Sequence, residues 1–460
     1  MMTKNSLVEL EITDMTNLGF GVGKVQGAVV FVSGAVTGDR LIARIIKPSS
    51  SYSIARIERL IKPSERRTEG RCPIGGCHSC AYREIDYSYE LEIKRETVIS
   101  AMRKAGLSDV RVTEIIGSPS SVEYRNKAQY PIAMSPSGDY IIGFFAPKSH
   151  RVTEAAACPL APREFSAMLE TLRAFFKKHS ISVYSEESGE GLLRHIYLRR
   201  GEVSGEVLLT LVINGRALPY SDELVGIITK EYPSVVGILL NENTERTNVI
   251  LGERYTVLFG RDYIYDTLCG VRLKISAPSF YQVNHDAAEL LYKKARELAR
   301  LEKRDTLLDL YCGAGSIGLS MAADCREVIG IEIIPSAVEC ATQNARDNGI
   351  TNASFYVGDA ADTERLLERA EMERGSAVTP DVVILDPPRA GAASELVRFI
   401  SERLSPSRIV YISCNPMTLA RDLALFRELG YAIGDVTAVD LFAGTGHVES
   451  VVSLTRGFDN

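Results

Sequence analysis

The chain has 460 residues, too many for one ordinary hydrophobic core, so two or three domains are expected. Hydrophobic residues make up 45% of it and charged residues 24%, a balance that excludes disordered and fibrous classes. The formal net charge of −6 argues against a protein whose whole surface grips a polyanion, although the first 160 residues carry a basic excess and the rest is acidic.

No apolar run approaches the length of a membrane span, and the first residues lack the apolar stretch of a signal peptide. A cytoplasmic location with no membrane partner is therefore expected, and nothing in the sequence calls for more than a monomer. From Val8 to Leu60, β-branched and polar residues alternate, interrupted by Gly19, Gly21, Gly23, Gly27, Gly34 and Gly38. Short strands joined by tight turns predict a small β-barrel over residues 1–62. The run Gly19-Phe20-Gly21-Val22-Gly23, then Val29 to Val32 and Gly38-Asp39, resembles the TRAM domain, an OB-like RNA-binding module.

Nine cysteines without an export signal point to thiol chemistry or metal ligation rather than a disulfide framework. Cys72, Cys77 and Cys80, with Cys158-Pro159 downstream, supply four thiolates. Tetrahedral zinc and an iron-sulfur cluster both accept such a set, and spacing alone puts zinc slightly ahead. Cys269, Cys312, Cys325 and Cys340 read as core or loop residues. A polar helix is predicted from Tyr87 to Ala105, and strands over Lys127–Ala133, Ile141–Phe145 and Val207–Ile213 give a mixed α+β middle segment spanning residues 63–275. Within it, Tyr124 to Lys127 and Arg194 to Arg199 interleave basic and aromatic side chains. That pattern suits phosphate contacts and base stacking on single-stranded RNA, or equally an amphipathic strand with a basic outer face.

From His285 onward, helix and strand alternate. The apolar runs Leu307-Leu308, Val328–Ile331, Val382–Leu385 and Ile409–Ile412 predict a parallel sheet covered on both faces over residues 276–460. Asp309 to Gly315 follows the first run and opens onto a helix, so its glycines let the backbone approach a ligand at the strand's carboxyl end. Glu332 ends the second strand, where a carboxylate can accept hydrogen bonds from both ribose hydroxyls of an adenosine. Asp359, after the next strand, would lie near the adenine edge. The glycine spacing at Gly313, Gly315 and Gly318 does not fit a dinucleotide fingerprint.

Three short segments carry the chemistry: Asp386-Pro387-Pro388-Arg389, Ser413-Cys414-Asn415-Pro416 and His447-Val448-Glu449. Carbon 5 of uracil is too weak a nucleophile to take a methyl group unaided. A thiolate adding to carbon 6 makes carbon 5 enolate-like, and a carboxylate must afterwards remove the carbon-5 proton. Cys414 and Glu449 are the two groups of the right kind. Asp386 suits orienting the uracil or lining the cofactor pocket. Each has a plain alternative: cysteines after strands are commonly core residues, and Asp-Pro-Pro also makes a rigid strand end.

These segments, with Phe280 to Asn284, Tyr311 to Gly315, Glu332 and Thr418 to Leu423, resemble the RNA uracil-5-methyltransferase family over nearly the whole chain. The resemblance implies a Rossmann-like methyltransferase domain that uses S-adenosylmethionine, bound by Gln282, Tyr311, Ser316, Glu332, Asp359 and Asp386, with Cys414 as nucleophile and Glu449 as general base. In the 23S ribosomal branch it implies a 4Fe-4S cluster on Cys72, Cys77, Cys80 and Cys158, zinc being the alternative, and 23S rRNA as partner. It also implies a helical segment over residues 82–117 packed on the catalytic domain. Ser316 stands where relatives often carry Asn, and His78-Ser79 where they usually carry two glycines. The rival functions are a transfer-RNA uridine methyltransferase and a catalytically inactive iron-sulfur RNA-binding factor.

Overall fold

The computed structural model describes residues 2–457 apart from 71, 76, 78, 147, 148 and 376, together with no account of the side chains of 373 and 374. His78, singled out above, lies outside the described residues. Strands β1 (Leu7–Met15), β2 (Phe20–Val25), β3 (Ala28–Ser33), β4 (Arg40–Pro48) and β5 (Tyr52–Lys62) close into a barrel in the order β1-β2-β3-β5-β4. Alternate residues Leu10, Ile12, Val30, Val32, Leu41 and Ala43 point inward and form its core, as the two-residue period requires. A Cβ at Gly23 would fall 2.5 Å from the Glu11 carbonyl, so glycine is what allows β1 and β2 to close together.

Helix α1 (Tyr87–Lys104) and strand β6 (Val112–Ile116) come next but do not join the middle segment. That segment is a seven-stranded sheet of β7 (Lys127–Met134), β8 (Tyr140–Phe145), β9 (Val152–Glu154), β10 (Leu193–Arg200), β11 (Val207–Ile213), β12 (Val235–Glu242) and β13 (Arg254–Gly260), in the order β13-β12-β11-β10-β7-β8-β9. Helices α2 (Arg163–Lys178) and α3 (Ser221–Glu231) contribute Phe165, Leu169, Leu172 and Leu224 to a core shared with Ile196 and Leu198 of β10. A ribbon of β14 (Tyr263–Leu268) and β15 (Val271–Ser276) then leads into α4 (His285–Ala299).

The last part is a nine-stranded sheet. Its parallel centre runs β18 (Ala353–Val357), β17 (Glu327–Glu332), β16 (Thr306–Leu310), β19 (Val382–Leu385), β20 (Arg408–Ser413). It continues through antiparallel β23 (Glu449–Arg456) to β22 (Val436–Val439) and β6, with β21 (Tyr431–Ile433) beside β23. The apolar runs read from the sequence fall inside β16, β17, β19 and β20. Helices α4, α5 (Ser316–Met321) and α6 (Pro335–Asp347) cover one face. Helices α1, α7 (Thr363–Arg374), α8 (Ser394–Phe399) and α9 (Pro416–Glu428) cover the other. Residues 87–116 therefore belong to this body, because β6 is its outermost strand and α1 packs on α9. No described helix is long and apolar enough to cross a membrane.

One ionic contact fastens α1 to the sheet. Lys94, 1% exposed, donates to Glu90 Oε1 and to Asp440 Oδ1, both at 2.7 Å, and to the carbonyl of Phe442 at 3.2 Å. Asp440 is fully buried and also accepts from Tyr87 Oη at 2.9 Å. Removing one member of a buried ion set strands its partners without counter-charge. Lys94→Met is expected to cost about 3–5 kcal/mol in urea unfolding, and most of that loss should return when Glu90→Gln and Asp440→Asn are added. A loss below about 1 kcal/mol would show the contact to be dispensable.

Candidate active site

The site follows from strand direction. Asp386, Cys414, Tyr311, Glu332 and Asp359 each stand at or just past the carboxyl end of a parallel strand, so the sheet gathers them along one edge. Glu449 joins them from the opposite direction. It is the first residue of β23, and because Ser450 pairs with Ser413 across β20, Glu449 is brought beside Cys414. The Cys414 thiol feels this neighbourhood: burial raises its pKa, Glu449 and Asp386 raise it further, and Arg389 lowers it. Glu449, 5% exposed, is pushed up to about 8 by burial and then by Asp386, against the pull of Arg389. Asp386 is partly open to a pocket, yet it sits deep enough that loss of water pushes its carboxyl up to about 7.

Loop contacts hold these groups in register. The Arg389 carbonyl accepts from Asn415 Nδ2 at 3.0 Å and from Thr418 Oγ1 at 3.3 Å, tying the Asp386 loop to the Cys414 loop. Asp422 accepts from the Ala392 amide at 2.9 Å and from Tyr411 Oη at 2.6 Å. Arg421 donates to the carbonyls of Ala390 and Ala392 at 3.0 and 3.2 Å. The conspicuous run Thr418 to Leu423 is thus a brace for the 389–392 loop. Arg389 itself reaches His447, with Nη2 and Nε2 3.5 Å apart.

A pocket of about 40 Å³ beside this edge is lined by Gln282, Tyr311, Ser316 and Asp386 from the sequence list, together with Phe280 and Tyr292. Tyr292 Oη lies 3.2 Å from Ser316 Oγ. Tyr311 holds a positive φ of 64°, an uncommon conformation for a non-glycine residue and one often found at functional sites. Glu332 is not on the wall of this pocket. Its carboxylate accepts from the Gly313 amide at 3.1 Å and the Ile334 amide at 2.9 Å, behind the 311–315 loop. Asp359 is exposed and accepts from the Ala361 amide at 2.9 Å, close enough to Tyr311 to add to the burial that raises its phenol to about 12. Asp309 carried no assigned role, although it opens the glycine-rich run. It is fully buried, accepts from the Gly318 amide at 2.9 Å, and has its carboxyl raised to about 7 by burial.

Cys72, Cys77, Cys80 and Cys158 line a second cavity of about 60 Å³, with Arg125 on its wall. None of the four is in a disulfide. Burial pushes the Cys80 thiol up to about 12; Cys158, Cys72 and Cys77 add to the rise and Arg125 opposes it. Arg83 ties the loop by donating to the carbonyls of Ile74 and Cys77, both at 3.2 Å. Among the described residues, no three His, Cys, Asp or Glu side chains converge tightly enough to hold a single metal ion.

A family model described as tRNA (Uracil-5-)-methyltransferase matches residues 229–457. An uncharacterized RNA methyltransferase of Clostridium acetobutylicum is 38% identical over 98% of both chains. Another, of Bacillus cereus, is 38% identical over 98% of this chain and 97% of its own. Among solved structures, the Pyrococcus abyssi tRNA (uracil-54, C5)-methyltransferase in complex with S-adenosyl-L-homocysteine superimposes with a TM-score of 0.77 at 28% identity, covering 97% of this chain and 100% of that one. The chain belongs to the RNA uracil-5-methyltransferase family. It is an RNA methyltransferase, and its last body has the fold of S-adenosylmethionine-dependent enzymes.

One expectation about how this methyltransferase meets RNA needs correcting. The pattern from Arg194 to Arg199 suits phosphate contacts and base stacking, or a strand with a basic outer face, but Arg194 and Arg199 are 3% and 1% exposed. Arg194 donates to the carbonyls of Asn243 and Glu245 at 2.7 and 2.8 Å, and Arg199 to the Ser279 carbonyl at 2.7 Å and Tyr197 Oη at 2.8 Å. The cause is what covers β10: the segments at Asn243 to Glu245 and at Ser279 lie against these cations and take their bonds.

The raised Glu449 carboxyl has a consequence for stability. Between its usual value of 4.5 and about 8, the folded protein keeps a proton that the unfolded chain has released, so stability falls as pH rises through that window. Glu449→Gln removes this loss. Its thermal midpoint, measured relative to that of the unmodified protein, is expected to climb from pH 5 to pH 8.5 and then level. A constant difference across that range would show that the carboxyl titrates normally.

Proposed function

We propose that this enzyme transfers a methyl group from S-adenosylmethionine to carbon 5 of a uridine in RNA, with Cys414 as the covalent nucleophile and Glu449 as the base. The observation that carries the reading is the placing of Cys414 and Glu449 at one sheet edge by the Ser413–Ser450 pairing, next to a pocket lined by Gln282, Tyr311, Ser316 and Asp386. Gln282, Tyr311, Ser316 and Asp386 suit direct contact with the cofactor, Glu332 its ribose hydroxyls and Asp359 its adenine side. Bound there, S-adenosylmethionine supplies an electrophilic methyl on a sulfonium whose positive charge favours ionisation of the acids around it.

The Cys414 thiolate adds to carbon 6, and the displaced electron pair makes carbon 5 the nucleophile that takes the methyl group. Glu449 then accepts the carbon-5 proton, the carbon 5–carbon 6 double bond re-forms, and Cys414 leaves as thiolate. Arg389, which lowers the pKa of both Cys414 and Glu449, favours the ionised form each step requires. A uridine stacked in folded RNA cannot reach Cys414, so the target is flipped out of its stack.

The four-cysteine cavity fits a 4Fe-4S cluster on Cys72, Cys77, Cys80 and Cys158. Four thiolates also suit tetrahedral zinc, the alternative to the cluster. When bound it would tie the 72–80 loop to Cys158; methyl transfer needs no redox step. In this reading residues 1–62 form a TRAM-like RNA-binding barrel, 63–275 the RNA-binding segment and 276–460 the catalytic domain, with 87–116 attached to the last. The enzyme acts as a monomer in the cytoplasm with RNA as its partner.

The first candidate substrate is 23S rRNA, on the strength of the barrel and the cysteine set together. Transfer RNA is a second reading favoured by a specific observation: the Pyrococcus abyssi enzyme that matches this chain almost end to end acts on uracil-54 of tRNA. Mass-spectrometric mapping of both RNAs after incubation with labelled S-adenosylmethionine separates them. A 5-methyluridine is expected with the unmodified enzyme, falling more than about a thousandfold in rate with Cys414→Ala. Methylation of neither RNA would leave an inactive RNA-binding factor. Glu449→Gln tests the base separately, because blocked elimination should accumulate a denaturant-resistant protein–RNA adduct carrying the methyl label. Turnover without such an adduct would remove Glu449 from the mechanism.

A further inference from the structure

One cavity among the described residues lies away from the catalytic edge, on the seven-stranded sheet. It measures about 270 Å³ and its walls include Phe145, His150, Tyr184, Glu186, Arg194 and His195. A cavity of about 150 Å³ already admits benzene, so this one has room for a purine or a pyrimidine.

Its lining is unusual in one respect. His195 is 6% exposed, and neither ring nitrogen has a hydrogen-bond partner among the described residues. Buried polar groups in folded proteins are nearly always paired, and each of these nitrogens exposes less than 1 Å², so a ligand that pairs one of them is met by a turn of the ring toward the cavity. Burial holds the imidazole neutral, its pKa lowered to about 4. A neutral ring offers one donor and one acceptor, the complement of a base edge. Phe145, His150 and Tyr184 give the wall an aromatic part, beside the aliphatic Pro131, Ile132, Met134 and Val152. The Phe145 ring stands 6.2 Å from His195 and 5.6 Å from His150, edge to face with both, and is itself 38% exposed at the rim. The Arg194 guanidinium lies 4.3 Å above the Tyr184 ring.

The position also fits. His195, Tyr197 and Arg199 alternate onto one face of β10, opposite the Ile196 and Leu198 face that packs on the helices. Tyr197 and Arg199 bond the carbonyls of Ala277 and Ser279, directly ahead of the Phe280 to Asn284 segment that carries Gln282. His195 is four residues from Arg199, about 13 Å along the strand. β10 thus links the cavity to the segment that carries Gln282.

We propose that this cavity receives a second unstacked base of the RNA substrate, a near neighbour of the methylated uridine, held against Phe145 and hydrogen-bonded by His195. The proposal rests on the reading of RNA as substrate. Stacking of a base on an aromatic side chain is worth about tenfold in affinity by alanine substitution.

The test is a binding cycle in the Cys414→Ala background, which measures RNA affinity without turnover. Fragments of 23S rRNA and tRNA spanning candidate uridines are made with an abasic nucleotide at each flanking position in turn. At one such position the abasic fragment is expected to bind about tenfold more weakly, and in Phe145→Ala or His195→Phe the same abasic change should cost less than twofold. A full abasic penalty that persists in both variants, or no position showing one, overturns the proposal. Methylation of the unmodified fragments by the unsubstituted enzyme is measured in parallel. Methylation without a variant-dependent position condemns the cavity alone, whereas its absence condemns the substrate reading, and the binding cycle still decides the cavity.

Discussion

The structure depends first on Lys94. Placing an ammonium group with almost no water contact is tolerable only because Glu90 and Asp440 meet it at 2.7 Å each, and because the Phe442 carbonyl takes its third proton. Glu90 belongs to the same helix, but Asp440 and Phe442 come from the turn after β22, more than 340 positions along the chain. That turn receives further bonds from every side: Gly444 donates to Glu90, its carbonyl accepts from the Tyr82 amide, Tyr124 Oη donates to Ala443, and Asn284 Nδ2 to Leu441. It ends two residues before His447 and leads directly into Glu449. The lysine thus fixes in one place the first helix after the barrel, the linker to the middle sheet and the approach to the proposed base.

From that anchoring the neighbourhood of the cysteine set follows. Cys80 lies beside Gly444, close enough that a Cβ on that glycine would be 3.9 Å from its sulfur. Leu160, two residues past Cys158, packs with Tyr124 and Ala443 in a small cluster of its own. The four thiols share one cavity wall with Gly444 of the catalytic body, so the group proposed for them would be built onto the loop that precedes Glu449. A structural role for that group is consistent with this location, since order in the 72–80 loop is transmitted through packed side chains and not through bond-making at the uracil.

Much of the site was legible in the sequence because a parallel sheet converts order along the chain into position along an edge. Apolar runs ending in Tyr311, Glu332, Asp386 and Cys414 told where strands stop, and an open sheet places its ligand-facing residues there. What could not be read was the direction of β23. Only an antiparallel strand brings its first residue to that edge, and nothing local to His447-Val448-Glu449 distinguishes it from a strand running the other way. The family resemblance implied a helical segment there packed on the catalytic domain, and α1 does pack on α9, but that β6 adds a strand to the sheet was not legible, because its partner β22 lies hundreds of positions away. The basic stretch Arg194 to Arg199 misled for a related reason. Periodicity reports alternation but not what covers each face, and here the segments at Asn243 to Glu245 and at Ser279 take the bonds of Arg194 and Arg199.

The electrostatics of the edge point to a division of labour between fold and ligands. Three acids stand close together there, Asp386, Cys414 and Glu449, and burial raises the pKa of each above its usual value. Arg389 is the cation that opposes this at Cys414 and Glu449, and its backbone is pinned by Asn415 and Thr418 while its side chain reaches toward His447. In such a site the ionised thiolate and carboxylate that the proposed mechanism demands are disfavoured until further positive charge arrives. A sulfonium donor in the adjoining pocket brings that charge to the same edge. The arrangement would keep the nucleophile protonated, and so poorly reactive toward other electrophiles, until the methyl donor is in place.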